Sequence, residues 1–350
     1  MILRRAHVTL VLGALVGATV TAPALHAQRA RDSVTVPLIV DRDRPYVEVT
    51  FQRADGTTRV ARMLLDTGGG GFLLTDALAR DLGVARGETM TEEGQSYASV
   101  TSPVRASLGA VVLKLNPQRI SVMVGKDNIL PNAGAGQADG MIPGHVLAQY
   151  HVIFDYPARA FTLAAPGSLV PRGTSMRMRV GKGSGFPRTE WEIDGSTHAM
   201  LIDTGASFTM VSEVVLKAWG ERHPDWPRHP GAYGQAATLG GQTLETMMLP
   251  QAQWGPFPIG EVGVTSQRAG TFERYMSAMM RGPIVGALAG NVLKGFRVEL
   301  DYADEKLYLS RPRPASPVKG AKSCIFASIC SSSGRSWPCG SGEDGCGRPA

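Results

Sequence analysis

The first 323 residues of this 350-residue chain contain no cysteine. That absence removes disulfides, thiol nucleophiles and cysteine-ligated metals from the chemistry of the folded body. All four cysteines (Cys324, Cys330, Cys339, Cys346) fall in a Ser/Gly/Pro-rich tail, and their spacing matches no zinc pattern. The tail, residues 312–350, is read as disordered and without a part in the chemistry. Charge is sparse too, at 19% of residues, and aromatics make up only 7%. No Lys/Arg run alternates with aromatics, so the formal charge of +6 reads as a solvated surface and nucleic acid is not an expected partner. Long helical periodicity is also missing. With 42 glycines, 23 prolines and 43% apolar residues, the composition fits a turn-rich β protein with a sizeable core.

The apolar stretch from Val8 to Val20 is short of the roughly 20 residues that a spanning helix needs. Arg4 and Arg5 precede it and the small residues of APALHA follow, the pattern of a secretory signal peptide over residues 1–27, cut after Ala24 or Ala27. No cysteine follows the run, which argues against a lipid anchor. No later segment is long and apolar enough to span a bilayer as a helix. The mature protein is therefore expected to be exported, periplasmic or secreted, with no stable membrane insertion.

What the chain does have is a repeat. Met63–Gly83 reads MLLDTGGGGFLLTDALARDLG, and Met200–Gly220 reads MLIDTGASFTMVSEVVLKAWG. They align without a gap, Asp66 on Asp203, Thr67 on Thr204 and Gly68 on Gly205. An aspartate directly after an apolar strand is a costly place for a charge unless something requires it. Further on, Thr75 meets Ser212 as a hydroxyl N-cap, and Gly83 meets Gly220 as the expected C′ glycine, so each copy reads strand, tight turn, strand, short helix. Upstream, Asp55-Gly56 and Asp194-Gly195 mark hairpins 11 and nine residues before the aspartates, a difference of two that keeps side-chain facing unchanged. A second gapless block aligns Gly140–Leu163 with Gly286–Leu309, matching Gly144 to Gly290 and Asp155-Tyr156 to Asp301-Tyr302. Each block closes in a hairpin. The lobes are thus expected over residues 34–165 and 175–311, joined by a Pro/Gly-containing connector.

LLDTGGGG and LIDTGAS, each followed by an apolar–Gly–helix–hairpin block, resemble the aspartic peptidases, pepsin-like and retropepsin-like, including bacterial exported relatives. The resemblance covers nearly all of residues 34–311 in pattern, with strong identity confined to the two turns and the closing blocks. It implies a mostly β, bilobal acid-protease fold: two pseudo-twofold-related, β-barrel-like lobes, each with a short helix. It further implies that Asp66 and Asp203 are the catalytic pair, sharing one proton because two carboxylates about 3 Å apart do not both ionise. Thr67 and Thr204 resemble hydroxyls that cross-brace the two loops, and the Gly68 and Gly205 N–H groups would face the carboxylates. Gly144 and Gly290, or their neighbours Pro143 and Ala289, fall at the family's glycine behind each loop. Ala206-Ser207 fits the small or hydroxyl residues that follow the turn, whereas Gly69-Gly70-Gly71 offers Asp66 no side-chain donor. Asp203, supported by Ser207, is therefore expected to stay ionised, and Asp66 to hold the proton. A covering hairpin is expected at Gly94–Ser102 with Tyr97 at its tip, and its counterpart at Gln235–Gln242.

The function expected is an aspartic endopeptidase acting on peptide or protein substrates, with no cofactor and no metal. A single chain carries both aspartates, so a monomer suffices. The alternative from another class is a catalytically silent peptide-binding β protein that kept the fold, and the oligoglycine is its best support. An outer-membrane barrel fits the signal peptide but not the repeat anatomy. Other motifs carry less. Gly69–Gly71 lacks the Lys-Ser/Thr of a phosphate loop, and GKGSG (Gly181–Gly185) lacks Walker spacing and reads as a loop. His223 and His229 lie among prolines, as in a surface loop, and Met276, Met279 and Met280 read as packing or groove lining.

Overall fold

The computed structural model describes residues 33–92, 95–124, 132–133, 136–229 and 246–312. The leader, the Gln235–Gln242 segment and the cysteine tail lie outside the described residues.

Both hairpin signals form. Arg44–Gln52 pairs antiparallel with Thr58–Asp66 around Asp55-Gly56, placing Tyr46 opposite Leu64. Pro187–Ile193 pairs with Ser196–Ile202 across a two-residue turn in which Asp194 and Gly195 have φ of 52° and 69°. Left-handed backbone at both positions is the turn whose twist matches the strands, and Asp-Gly tolerates it. On the first hairpin Val47, Val49 and Phe51 face the core while Glu48 and Gln52 are exposed, the period-two alternation of a half-covered sheet.

The two copies build sheets of the same topology. In the first, Thr58–Asp66 pairs parallel with Gly140–Pro143, which pairs antiparallel with Phe72–Thr75, which pairs parallel with Ile120–Val124. In the second, Ser196–Ile202 pairs parallel with Gly286–Leu288, that strand antiparallel with Thr209–Ser212, and that one parallel with Val262–Gln267. Each sheet has ten strands in corresponding order. Thr75 and Ser212 cap the helices Asp76–Asp81 and Glu213–Arg222, accepting from Leu78 N and Val214 N. Gly83, at φ 67°, closes the first helix as expected. Gly220 does not close the second, which runs on to Arg222. The Arg228 guanidinium packs against it: Nη2 donates to the Gly220 carbonyl at 2.8 Å, and an added Cβ would lie 2.2 Å from that atom.

The closing hairpins of the two halves do not stay apart. His151–Asp155 pairs antiparallel with Arg297–Asp301, Ile153 opposite Glu299. Equivalent strands pairing about their own centres is what a local two-fold axis produces. The resulting six-stranded sheet takes three strands from each half, with Ser33–Pro37 on one edge and Thr174–Arg177 on the other. The described residues up to Pro312 accordingly form one compact unit. Its core contains the fully buried Trp191, Trp219, Trp254, Phe154 and Phe161. Burying a large apolar side chain contributes about 1.5–3 kcal/mol.

Each half also reaches across to the other. The Arg42-Asp43 turn of the first half covers Gly290, and Lys294 Nζ bonds Asp43 Oδ2 at 2.8 Å. Reciprocally, the second half's loop 181–186 lies over Gly144, whose Cα faces both the Thr67 and Ser184 carbonyls. A Cβ on Gly290 would come 2.1 Å from the Asp43 carbonyl oxygen, backbone against backbone. Gly290→Ala is expected to destabilise by about 3 kcal/mol, measured by urea unfolding. A cost within ±0.5 kcal/mol, the ordinary range for a surface change, would show that the interlobe packing is looser than this contact requires.

Candidate active site

Asp66 ends the strand Thr58–Asp66, and Asp203 directly follows Ser196–Ile202. The rows before them, Met63–Leu65 and Met200–Ile202, are buried, which fixes both aspartates on rigid backbone. Each turn folds back on its own carboxylate. Gly68 N donates to Asp66 Oδ1 at 2.9 Å, and Gly205 N donates to Asp203 Oδ1 at 2.9 Å. The carboxyls lie across from each other: a Cβ on Gly205 would be 2.2 Å from Asp66 Cγ, and one on Gly68 would be 2.9 Å from Asp203 Cγ. Only glycine permits this approach. The two carboxyls lie close enough to share a hydrogen bond.

Beneath them the threonines cross. Thr67 N donates to Thr204 Oγ1 at 3.0 Å, and Thr204 N donates to Thr67 Oγ1 at 3.1 Å. Each hydroxyl then donates to a carbonyl of the opposite strand, Thr67 to Ile202 at 2.5 Å and Thr204 to Leu65 at 2.7 Å. Both side chains are fully buried.

Burial raises the Asp66 pKa well above the ordinary 3.8, and the Asp203 charge raises it further against the Gly68 N–H. Asp203 is also raised by burial, but the N–H groups of Gly205 and Ala206 and the hydroxyl of Asp66 all favour its anion. Both carboxyls are therefore raised and the pair titrates as a unit, the donors around Asp203 favouring the charge there. That is the expected direction, reached by a different donor. The second N–H on Asp203 Oδ1 is Ala206's, at 3.2 Å, whereas Ser207 engages through its carbonyl, accepting from Asn291 N at 2.9 Å.

Gly144 and Gly290 stand directly behind the loops, their N–H groups donating to Gly69 O and Ala206 O at 3.2 and 3.0 Å. Pro143 instead pairs with Asp66 as the last residue of its strand. Tyr97 is not at a hairpin tip. It sits within Gln95–Val100, opposite Met90 on one side and Met123 on the other, because Gln95–Val100 is paired along its length with Arg86–Glu92. It still lines the cleft.

That cleft, about 600 Å³, runs over the dyad. Its first-half wall includes Leu73, Met90, Tyr97 and Met141, and its second-half wall includes Phe186, Met210, Phe272, Tyr275 and Met279. Phe186, Phe272 and Tyr275 carry no sequence motif: Phe186 reaches the site from a loop, and Phe272 and Tyr275 from the short helix Thr271–Met276. Arg44 escaped it too, although continuing the Tyr46–Leu64 register by two sets it opposite Asp66. It is buried, and its charge favours the ionised form of both aspartates. Among the described residues no cluster of three or more His, Cys, Asp or Glu is placed to hold a metal ion.

No protein-family model and no curated protein matches the sequence. Among solved structures, the chain is similar to the aspartic proteinase from Irpex lacteus, with 12% identity and a TM-score of 0.49, covering 80% of this chain and 98% of that chain. Two curled β sheets in two lobes, meeting at paired Asp-Thr-Gly turns, give this chain the bilobal acid-protease fold.

Two outcomes follow from this geometry. Thr204→Val strands the buried Thr67 N–H and Leu65 carbonyl, at about 1–3 kcal/mol each, so a loss of roughly 3 kcal/mol is expected in chemical denaturation, with Thr204→Ser restoring most of it. Asp66 holds its proton more tightly folded than unfolded, so its contribution is full below about pH 3.8 and is lost as pH rises through the folded value. Asp66→Asn should therefore raise Tm at neutral pH, with the gap over wild type closing towards pH 4; a gap independent of pH would contradict the raised pKa of Asp66.

Proposed function

We propose that the chain is an aspartic-type endopeptidase that hydrolyses peptide bonds with a water held between Asp66 and Asp203. The observation that carries this reading is the facing pair of buried carboxyls at the floor of an apolar cleft. The Asp203 carboxylate takes a proton from water as the water oxygen attacks the peptide carbonyl, and the Asp66 carboxyl gives its proton to the carbonyl oxygen. A tetrahedral diol forms, leaving the proton on Asp203 and the charge on Asp66. In the second step Asp66 takes a proton from a diol hydroxyl, Asp203 protonates the amide nitrogen, the C–N bond breaks, and the starting protonation returns.

The walls suit an extended peptide presenting large apolar side chains. Since one chain supplies both carboxylates, a monomer is sufficient, and the leader-like residues 1–27 support export to the periplasm or medium. No helix among the described residues is long and apolar enough to cross a membrane.

Cleavage of a denatured protein across pH 3 to 8, inhibited by pepstatin, tests the reading. Asp66→Asn and Asp203→Asn should each lower kcat by on the order of 10²–10⁴, the span of positioned acid–base groups. Activity retained in either variant would sink it.

A further inference from the structure

Four consecutive glycines, Gly68–Gly71, carry Asp66 into the next strand, and a run of glycine has the greatest backbone freedom of any sequence. The second loop solves the same problem with side chains. There Phe208 packs over Gly263, where an added Cβ would lie 2.7 Å from its ring. Asn291 closes the loop: its N–H donates to Ser207 O, its Oδ1 accepts from Thr209 N and Oγ1, and its Nδ2 donates to Gly263 O at 2.9 Å.

The first half inverts this arrangement. By the repeat offset, Gly71 stands where Phe208 stands, and Gly70 stands where Ser207 does. The parallel pairings Ile120–Phe72 and Val264–Thr209 put Arg119 where Gly263 is. The large side chain has therefore moved to the other strand of the pair. Arg119, anchored one residue ahead of Ile120–Val124, turns its guanidinium onto the loop. Nη2 donates to Gly70 O at 3.2 Å and Nη1 to Gly183 O at 2.6 Å. Gly183 belongs to the other half, in the GKGSG loop to which the sequence assigned no role. That loop is itself tied down, Gly185 N to Gly181 O and Ser184 Oγ to Met279 O.

Resting on the peptidase reading, we propose that Arg119 is a positioning residue for Asp66: its two-pronged guanidinium fastens the glycine loop to the GKGSG loop of the opposite half. It supplies what Phe208 and Asn291 supply around Asp203. The planar fork is suited to two carbonyls at once. His145, the repeat counterpart of Asn291, is kept neutral beside it by burial first and then by the Arg119 charge, its pKa lowered to about 4, so it adds no second cation.

The experiment compares the full chain with Arg119→Ala, Gly70→Ala and the double variant, by peptide-cleavage kinetics and amide hydrogen exchange. Arg119→Ala should lower kcat by about tenfold to a hundredfold, the scale of a small misplacement, with KM little changed. Exchange at residues 68–73 should rise by about tenfold while residues 205–210 stay protected, a local opening that a global loss of stability would not reproduce. Gly70 lies outside the left-handed region and a Cβ there meets open space, so alanine stiffens the loop without strain; in the Arg119→Ala background it should recover part of both losses. Unchanged kcat and exchange in Arg119→Ala, or protection lost equally in both loops, would overturn the proposal. If the wild-type chain cleaves nothing, the peptidase reading fails while the exchange arms still decide for or against Arg119 as the clasp of its loop.

Discussion

Two like-charged groups are held side by side in a buried site, and the energy that keeps them there comes from the crossed threonines below. A carboxylate facing another at close range, away from bulk water, repels it strongly. The repulsion is relieved by one shared proton, but only if the backbone does not let the loops part. Four hydrogen bonds among Thr67, Thr204, Leu65 and Ile202 run between the halves at full burial. Each donor and acceptor would otherwise be unsatisfied in the interior, so separation costs far more than any one bond contributes. The glycines above, Gly68 and Gly205, then let each loop lie against the other's carboxyl.

The halves share a plan but differ where the plan touches the chemistry. Among the described residues Asp203 receives two backbone N–H groups, from Gly205 and Ala206, while Asp66 receives one, from Gly68. Asymmetry in donors becomes asymmetry in protonation, which a reaction needing both an acid and a base at one pH requires. The supporting residues diverge in parallel, a phenylalanine and an asparagine on one side against an arginine and a glycine run on the other. The repeated plan supplies two carboxyls, and the differences between the loops give them unequal surroundings.

Much of this was legible in the chain because it is local. Apolar strands running into Asp-Thr-Gly, the Asp-Gly hairpins and the Thr75 and Ser212 caps are each set within a few residues, and the gapless repeat showed that they recur as a unit. The misreadings fall where an element's end depends on something distant. Gly220 looks like a helix stop until Arg228 arrives beside it. Tyr97 looks like a hairpin tip, yet its strand is paired along its length with Arg86–Glu92. Ser207 looks like the donor to Asp203, yet the turn brings Ala206 N–H there first. Phe186 and Arg119 carry no local signal, since each reaches across to the other half, Phe186 to Gly144 and Arg119 to Gly183.

The six-stranded sheet has a consequence for biogenesis. The strand His151–Asp155 finds its neighbour Arg297–Asp301 some 146 residues later, and Ser33–Pro37 its partner Ala160–Ala164 about 127 residues on. Pairings so remote in sequence make for slow folding and a prolonged exposure of unpaired edges. The amino-terminal half therefore cannot finish its own structure during synthesis. The Asp66–Asp203 pair is held in place only once the last hairpin has been delivered, so an unfinished polypeptide emerging from the ribosome carries two aspartates but not yet their shared site.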